Sequence, residues 1–105
     1  MDKKFFNHIR ENIEGMELDA LWDYAIEASP DYSDQCEFFF EVLEELIQTG
    51  AIELVNMYTK QPLNGPIEER LNTFRSSFPT DPVEMNGGLW FFSSSCPAGP
   101  LWTQK

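Results

Sequence analysis

The chain reads as an α+β domain, about four helices packed with a small two- to three-stranded antiparallel sheet, and three observations predict this. Apolar residues recur at helical spacing through most of the first fifty positions. The run Ala51 to Met57 after Gly50 alternates as a strand does. Near the C-terminus, Leu89-Trp90-Phe91-Phe92 is too short and too aromatic for a helix, and with Leu101-Trp102-Thr103 it forms a predicted aromatic hairpin across the turn Cys96-Pro97-Ala98-Gly99-Pro100. Residues 1–105 make one domain, because 105 residues leave no room for a second. An apolar content of 42% with 14% aromatics supports a packed core and sets the chain apart from a disordered acidic tail.

Phe5, Phe6, Ile9 and Ile13 define the first helix, from about Asp2 to Glu14, with Gly15 ending it. Leu18, Leu21, Trp22, Ala25 and Ile26 form the apolar face of the second, which Ser29-Pro30 stops. The third, about Asp34 to Thr49, carries the broad stripe Cys36, Phe39, Phe40, Val42, Leu43, Leu46 and Ile47, so it is the expected central helix. Asp34 and Glu37 resemble a capping box at its start, and Gly50 is a natural terminator. Lys60 to Gly65 is a loop by its turn residues. Pro66 suits the first position of a fourth helix whose narrow face is Ile67, Leu71, Phe74 and Phe78, closed by Pro79. Thr80 to Met85 reads as one capped helical turn. Helices followed by a late hairpin resemble a winged-helix order.

Net charge is −11, but its distribution says more. No Lys or Arg lies between Arg10 and Lys60, and thirteen of the eighteen acids do; the rest of the chain is +2, seven basic residues against five acidic. On the second helix Asp19, Asp23 and Glu27 recur every four residues opposite the apolar face. On the third, Asp34, Glu37, Glu41, Glu44 and Glu45 line the side away from Phe40 and Leu43. Like charges at this spacing cost about 0.2–0.5 kcal/mol per pair in an isolated helix, with no lysine nearby to offset them. A solvated face that keeps the protein soluble is one explanation; a field that steers a basic partner is the other. Phe38 lies beside Asp34, Glu41 and Glu45, either as an exposed anchor in the acidic patch or packed against the first helix or the loop at Pro30.

The same residues weigh against several function classes. Direct nucleic-acid binding needs clustered basic residues, and seven are scattered here. Ser93-Ser94-Ser95 lacks a nucleophile elbow, and Gly87-Gly88 leads into an aromatic run with no basic neighbour for a phosphate. Asp31-Tyr32-Ser33-Asp34 lacks the oxygen spacing and central glycine of a calcium loop. The one histidine, His8, reads as a boundary residue. No catalytic residue, metal ligand or cofactor is therefore expected; an enzyme would need paired carboxylates facing inward near His8 or Trp90, with displaced pKa values. Trp22, Trp90 and Trp102 are expected in or at the edge of the core. Cys36 and Cys96 match neither metal nor redox spacing and are expected as free thiols in a reducing, cytoplasmic compartment, in keeping with the absence of a membrane-length apolar run.

Ala20-Leu21-Trp22-Asp23-Tyr24, the Phe-rich helix closing at Gly50-Ala51-Ile52, Phe78-Pro79, Gly88 to Phe92 and Cys96 to Trp102 together resemble the bacterial family named domain of unknown function 596. The resemblance runs from about Met16 onward, and the aromatic and Cys-Pro close is its most distinctive part. Members usually carry a second glycine where Ala98 or Pro100 stands. It implies a small bacterial cytoplasmic protein with no catalytic residues to carry over, and some such acidic proteins hold the immunity position in contact-dependent toxin systems.

The functional expectation is thus a protein that binds and neutralises another protein, a basic toxin domain, as an immunity protein or inhibitor. Asp19, Asp23, Glu27, Asp34, Glu37, Phe38, Glu41, Glu44 and Glu45 are the candidate contacts. A regulatory or scaffold module would use the same surface on a different partner, and a DNA mimic would need phosphate-like spacing of the acids.

Overall fold

The computed structural model describes residues 2–103, and in it the chain forms five α-helices, a 3-10 segment and a two-stranded antiparallel sheet. Helix α1, Lys3–Ile13, starts where the Asp2 carboxylate accepts the Phe5 amide, and it buries Phe6, Ile9 and Ile13. Helix α2, Leu18–Ala28, buries Leu18, Leu21, Trp22 and Ala25 before Ser29 turns extended ahead of Pro30.

Helix α3, Tyr32–Gln48, begins two residues earlier than its apolar stripe predicts. Its cap is Asp31, which takes the amides of Ser33 and Asp34 at 2.7 and 3.3 Å, and there is no capping box at Asp34. Asp31 is extended, and from there its short carboxylate reaches the first turn, while Asp34, already inside the helix, accepts the Ser29 hydroxyl instead. At the other end Gly50 takes φ +78°, its amide reaches the Ile47 carbonyl and the Ala51 amide reaches that of Leu46, the paired bonds of a Schellman close.

Strand β1, Ile52–Val55, follows, and the loop after it folds back so that Leu63 donates to the Leu54 carbonyl and Pro62 forms a single bridge with Val55. Helix α4 is Ile67–Ser77, with Pro66 in the capping position rather than inside the helix. Helix α5, Pro82–Met85, is the expected short turn, capped by Asp81 on the Glu84 amide at 2.8 Å.

The largest departure from the sequence reading concerns Leu89 to Phe92. These residues belong to the 3-10 segment Asn86–Phe92, so the aromatic hairpin and the winged-helix order fall away. The physical reason lies in the burial pattern: Trp90 and Phe91 are both buried, while Leu89 and Phe92 are exposed. A strand would send adjacent side chains to opposite faces, whereas a helical twist turns both rings toward one core. Asn86, Gly87 and Gly88 all have positive φ, and this left-handed step starts the segment beside α2. At Gly88 a Cβ would stand 3.6 Å from the Asp19 Cβ.

Strand β2, Gly99–Trp102, pairs with β1 instead, Ile52 opposite Trp102 and Val55 opposite Gly99. The Trp102 indole donates to the Met16 carbonyl at 2.9 Å, and Thr103 bonds the backbone at Gly50 and Ala51, so the C-terminal strand is tied to both ends of the α1–α3 layer.

Helix α3 is the centre of the core, packing on α2, α4 and β1. Seven aromatic rings meet there: Trp22, Phe39, Phe40, Phe74, Phe78, Trp90 and Phe91, in tilted and edge-on pairs with centroids 5.0–6.5 Å apart. The tryptophans are therefore packing residues, as expected, with Trp102 half-buried at the sheet edge.

Candidate functional site

Every fully buried side chain among the described residues is apolar, so all the ionisable groups lie at or near the surface. The acids predicted as contacts fall on two separate faces. Helices α2 and α3 pack together through their apolar sides, and the two stripes approach each other only where Asp34 accepts the Ser29 hydroxyl at the end of α2.

On the α2 face, Asp23 sits between Asp19 and Glu27. Partial desolvation first, then the charges of Asp19 and Glu27, push its carboxyl above the ordinary value. Asp19 adjoins the 3-10 segment at Gly88. On the far side of α2, Tyr24 meets the ring of His8 edge-on, and His8 itself is exposed on α1 with Asn12 beside it.

On the α3 face, Glu41, Glu44 and Glu45 surround a shallow depression with Gln48. Glu45 also borders a hollow shared with Lys3 and Asn7 of α1. Glu44 borders a groove of about 550 Å³ between α3 and α4, whose other walls include Glu68, Asn72 and Arg75. The Arg75 guanidinium lies 4.2 Å from the Phe40 ring centre, which draws that cation inward onto the core. Asp34 and Glu37 continue the stripe toward the start of α3, both exposed. Phe38 takes the packed alternative: it is half-buried, with its ring 6.1 Å from that of Phe5.

The sequence reading did not single out a group of exposed apolar residues near the α2 face. Val83 is 86% exposed, Leu89 62%, Phe92 58% and Ile26 43%. Ile26 and Pro82 border a cleft of about 230 Å³ floored by Trp22, Tyr32 and Met85 and open at Gly87. The short α5 gives the available signal: a four-residue helix buries one side chain, here Met85, and leaves Val83 outside.

The Tyr32 hydroxyl donates to the Pro79 carbonyl at 2.9 Å; burial above all, then Cys36 and the nearby acids, raises its pKa. Cys36 and Cys96 are free thiols. Burial pushes Cys96 up to about 11, against a smaller opposing effect of a backbone hydrogen bond with Ala98, and burial raises Cys36 as well. Among the described residues no group of three His, Cys, Asp or Glu side chains is placed to hold a metal ion. No helix among them is long and apolar enough to cross a membrane.

The architecture has a solved counterpart: an uncharacterized protein conserved in bacteria, from Neisseria meningitidis, superimposes with a TM-score of 0.76 at 24% sequence identity, covering 97% of this chain and 84% of the other. At that identity the likeness concerns the fold. None of the curated proteins matches the chain. The family described as Protein of unknown function, DUF596, matches residues 47–105, which takes in the end of α3, both strands and the whole aromatic C-terminal half. With more than half its length matched, the chain belongs to the domain of unknown function 596 family.

Proposed function

We propose that this is a small, cytoplasmic, acidic protein-binding protein of bacteria that neutralises a basic toxin domain by direct association, as an immunity protein does. The observation that carries the reading is the segregation of charge: between Arg10 and Lys60 the chain has thirteen acids and no Lys or Arg, and the candidate contacts stand on two outward faces of the α2–α3 pair. Partial desolvation, then the charges of Asp19 and Glu27, raise the Asp23 carboxyl; like charges at this spacing work against the helix that carries them, and a cationic partner would relieve that part of the cost. A single-signed field raises the association rate with an oppositely charged protein, and apolar anchors then slow dissociation.

The test is capture of the tagged protein's partner from its own cells at low and moderate salt, followed by co-expression of that partner with and without the protein. The reading expects a basic protein whose association slows as salt rises and whose toxicity is suppressed. Reversing charge at Glu37, Glu41 and Glu45 should slow association about tenfold or more. A salt-insensitive complex, full association after the reversal, or no protection from toxicity sinks it.

A further inference from the structure

The two acidic faces differ in what lies beside them. On α3 the acids border hollows whose walls mix polar side chains, Gln48, Asn72 and Glu68 among them, with the apolar Phe6, Ile67 and Leu71, and the nearby cation Arg75 is drawn onto Phe40. On α2 they run alongside the cleft of about 230 Å³ between α2 and α5, whose floor of Trp22, Tyr32 and Met85 is the outer surface of the aromatic core. Ile26 stands on its α2 wall, one helical turn from Trp22 and between Trp22 and Asp23 in angle; Pro82 stands on the α5 wall with the solvated Val83 next to it. Gly87 leaves the cleft mouth bare: a Cβ placed there would meet no atom within 4 Å. Leu89 follows Gly88, the residue packed beside Asp19.

Exposed apolar groups around a cleft bordered by one sign of charge are the ingredients of an anchored interface: a desolvated apolar contact limits the off-rate, and surrounding charges select and orient the partner. Resting on the protein-binding reading above, we propose that the α2–α5 cleft is the docking site for a basic peptide segment of the partner. One apolar side chain of that segment enters between Ile26 and Pro82, and flanking Lys or Arg residues lie along Asp19, Asp23 and Glu27. Charge complementarity defines this occupant. Three like carboxylates at four-residue spacing favour cations and repel an acidic segment. A wholly polar basic segment would leave the cleft and its apolar lip in water. The α3 face then contributes long-range steering, and the α2 face the bound contact.

The test uses the intact protein and defined probes: twelve-residue Lys- and Gly-containing peptides with one central Leu, Phe or Trp, the same peptides with a central Ser, and Glu-for-Lys counterparts. Titration followed by amide chemical shifts should place the largest changes at Asp23, Ile26, Val83 and Gly87. The apolar-centred peptides should bind at least tenfold tighter than the Ser peptide, and the Glu peptides should not bind. Ile26→Ser and Asp23→Lys, both at exposed positions that preserve the core, should each weaken the apolar-centred peptide about tenfold or more. Shifts confined to α3, or equal affinity for Ser and apolar centres, overturn the cleft and leave the basic-partner reading standing. If no basic peptide binds and no basic protein is captured, both fall.

Discussion

Phe39 is the side chain on which the aromatic core turns, and removing it gives the clearest quantitative test of the fold. It is 0% exposed, and its ring lies 5.9 Å from Trp22, 5.3 Å from Phe40, 6.2 Å from Phe74, 5.4 Å from Phe78 and 5.4 Å from Phe91. Those rings come from α2, α3, α4, the turn after α4 and the 3-10 segment, so no single movement fills the space that Phe39→Ala leaves. Buried Phe-to-Ala changes cost about 3–5 kcal/mol, and poor collapse places this one near 4–5 kcal/mol. A domain of this size has about 5–15 kcal/mol in total, so the variant should sit near the edge of folding. Urea unfolding followed by far-ultraviolet circular dichroism and tryptophan fluorescence measures it. With a slope of about 1.5 kcal/mol per molar urea, the midpoint should fall by about 3 M with the slope unchanged. Phe39→Leu, which keeps most of the volume, should lose about 1–1.5 kcal/mol. Phe92→Ala, at a 58% exposed ring in the same 3-10 segment, should lose less than about 1 kcal/mol. A Phe39→Ala loss under about 2 kcal/mol, or one no larger than that of Phe92→Ala, would refute the central placement of α3.

The acidic stripe and the C-terminal strand give two further expectations. Asp23 has a raised carboxyl pKa, so the folded state holds its proton to higher pH than the unfolded state does. Its contribution to stability is therefore greatest at low pH and declines as pH rises through the folded value, and Asp23→Asn should gain about 0.5 kcal/mol at pH 7 and low salt. That gain should vanish near pH 3 and shrink in 1 M NaCl; a variant no more stable than the parent at pH 7 would show that the stripe is not strained. Trp102→Phe removes the indole bond to the Met16 carbonyl and should cost about 0.5–1.5 kcal/mol. Hydrogen exchange should then quicken at the Thr103 amide, which donates to the Ala51 carbonyl, and leave the α3 amides protected; uniform loss of protection would mean that β2 does not open separately.

Much of this protein is encoded over short distances and was legible in the chain. The apolar stripes placed α1 to α4, Gly15 and Gly50 marked real helix ends, and Asp81 capped the turn expected after Pro79. Helix formation depends on neighbours within a turn, so caps and periodicity report it directly. The cap of α3 was misplaced by three residues because Asp31 and Asp34 are chemically alike, and only the backbone distinguishes them, extended at Asp31 and helical at Asp34.

The acidic segregation, the α+β class, the bacterial family and the packing role of Trp22 and Trp90 were likewise carried by the sequence. Tertiary structure decided the rest. Leu89 to Phe92 has the composition of a strand, but Phe39, Phe74 and Phe78 surround a volume that takes both Trp90 and Phe91 only when the chain twists helically. Once that run is in the core, β1 pairs with Gly99–Trp102, a choice made by competition among distant segments rather than by either strand's own residues. The same packing of α2 on α3 divided one acidic region between two helix faces and set Ile26 of α2 at the rim of a cleft that the start of α3 and α5 complete. Periodicity fixes which side of a helix is polar; which polar sides share a surface follows from how the helices bury their apolar ones.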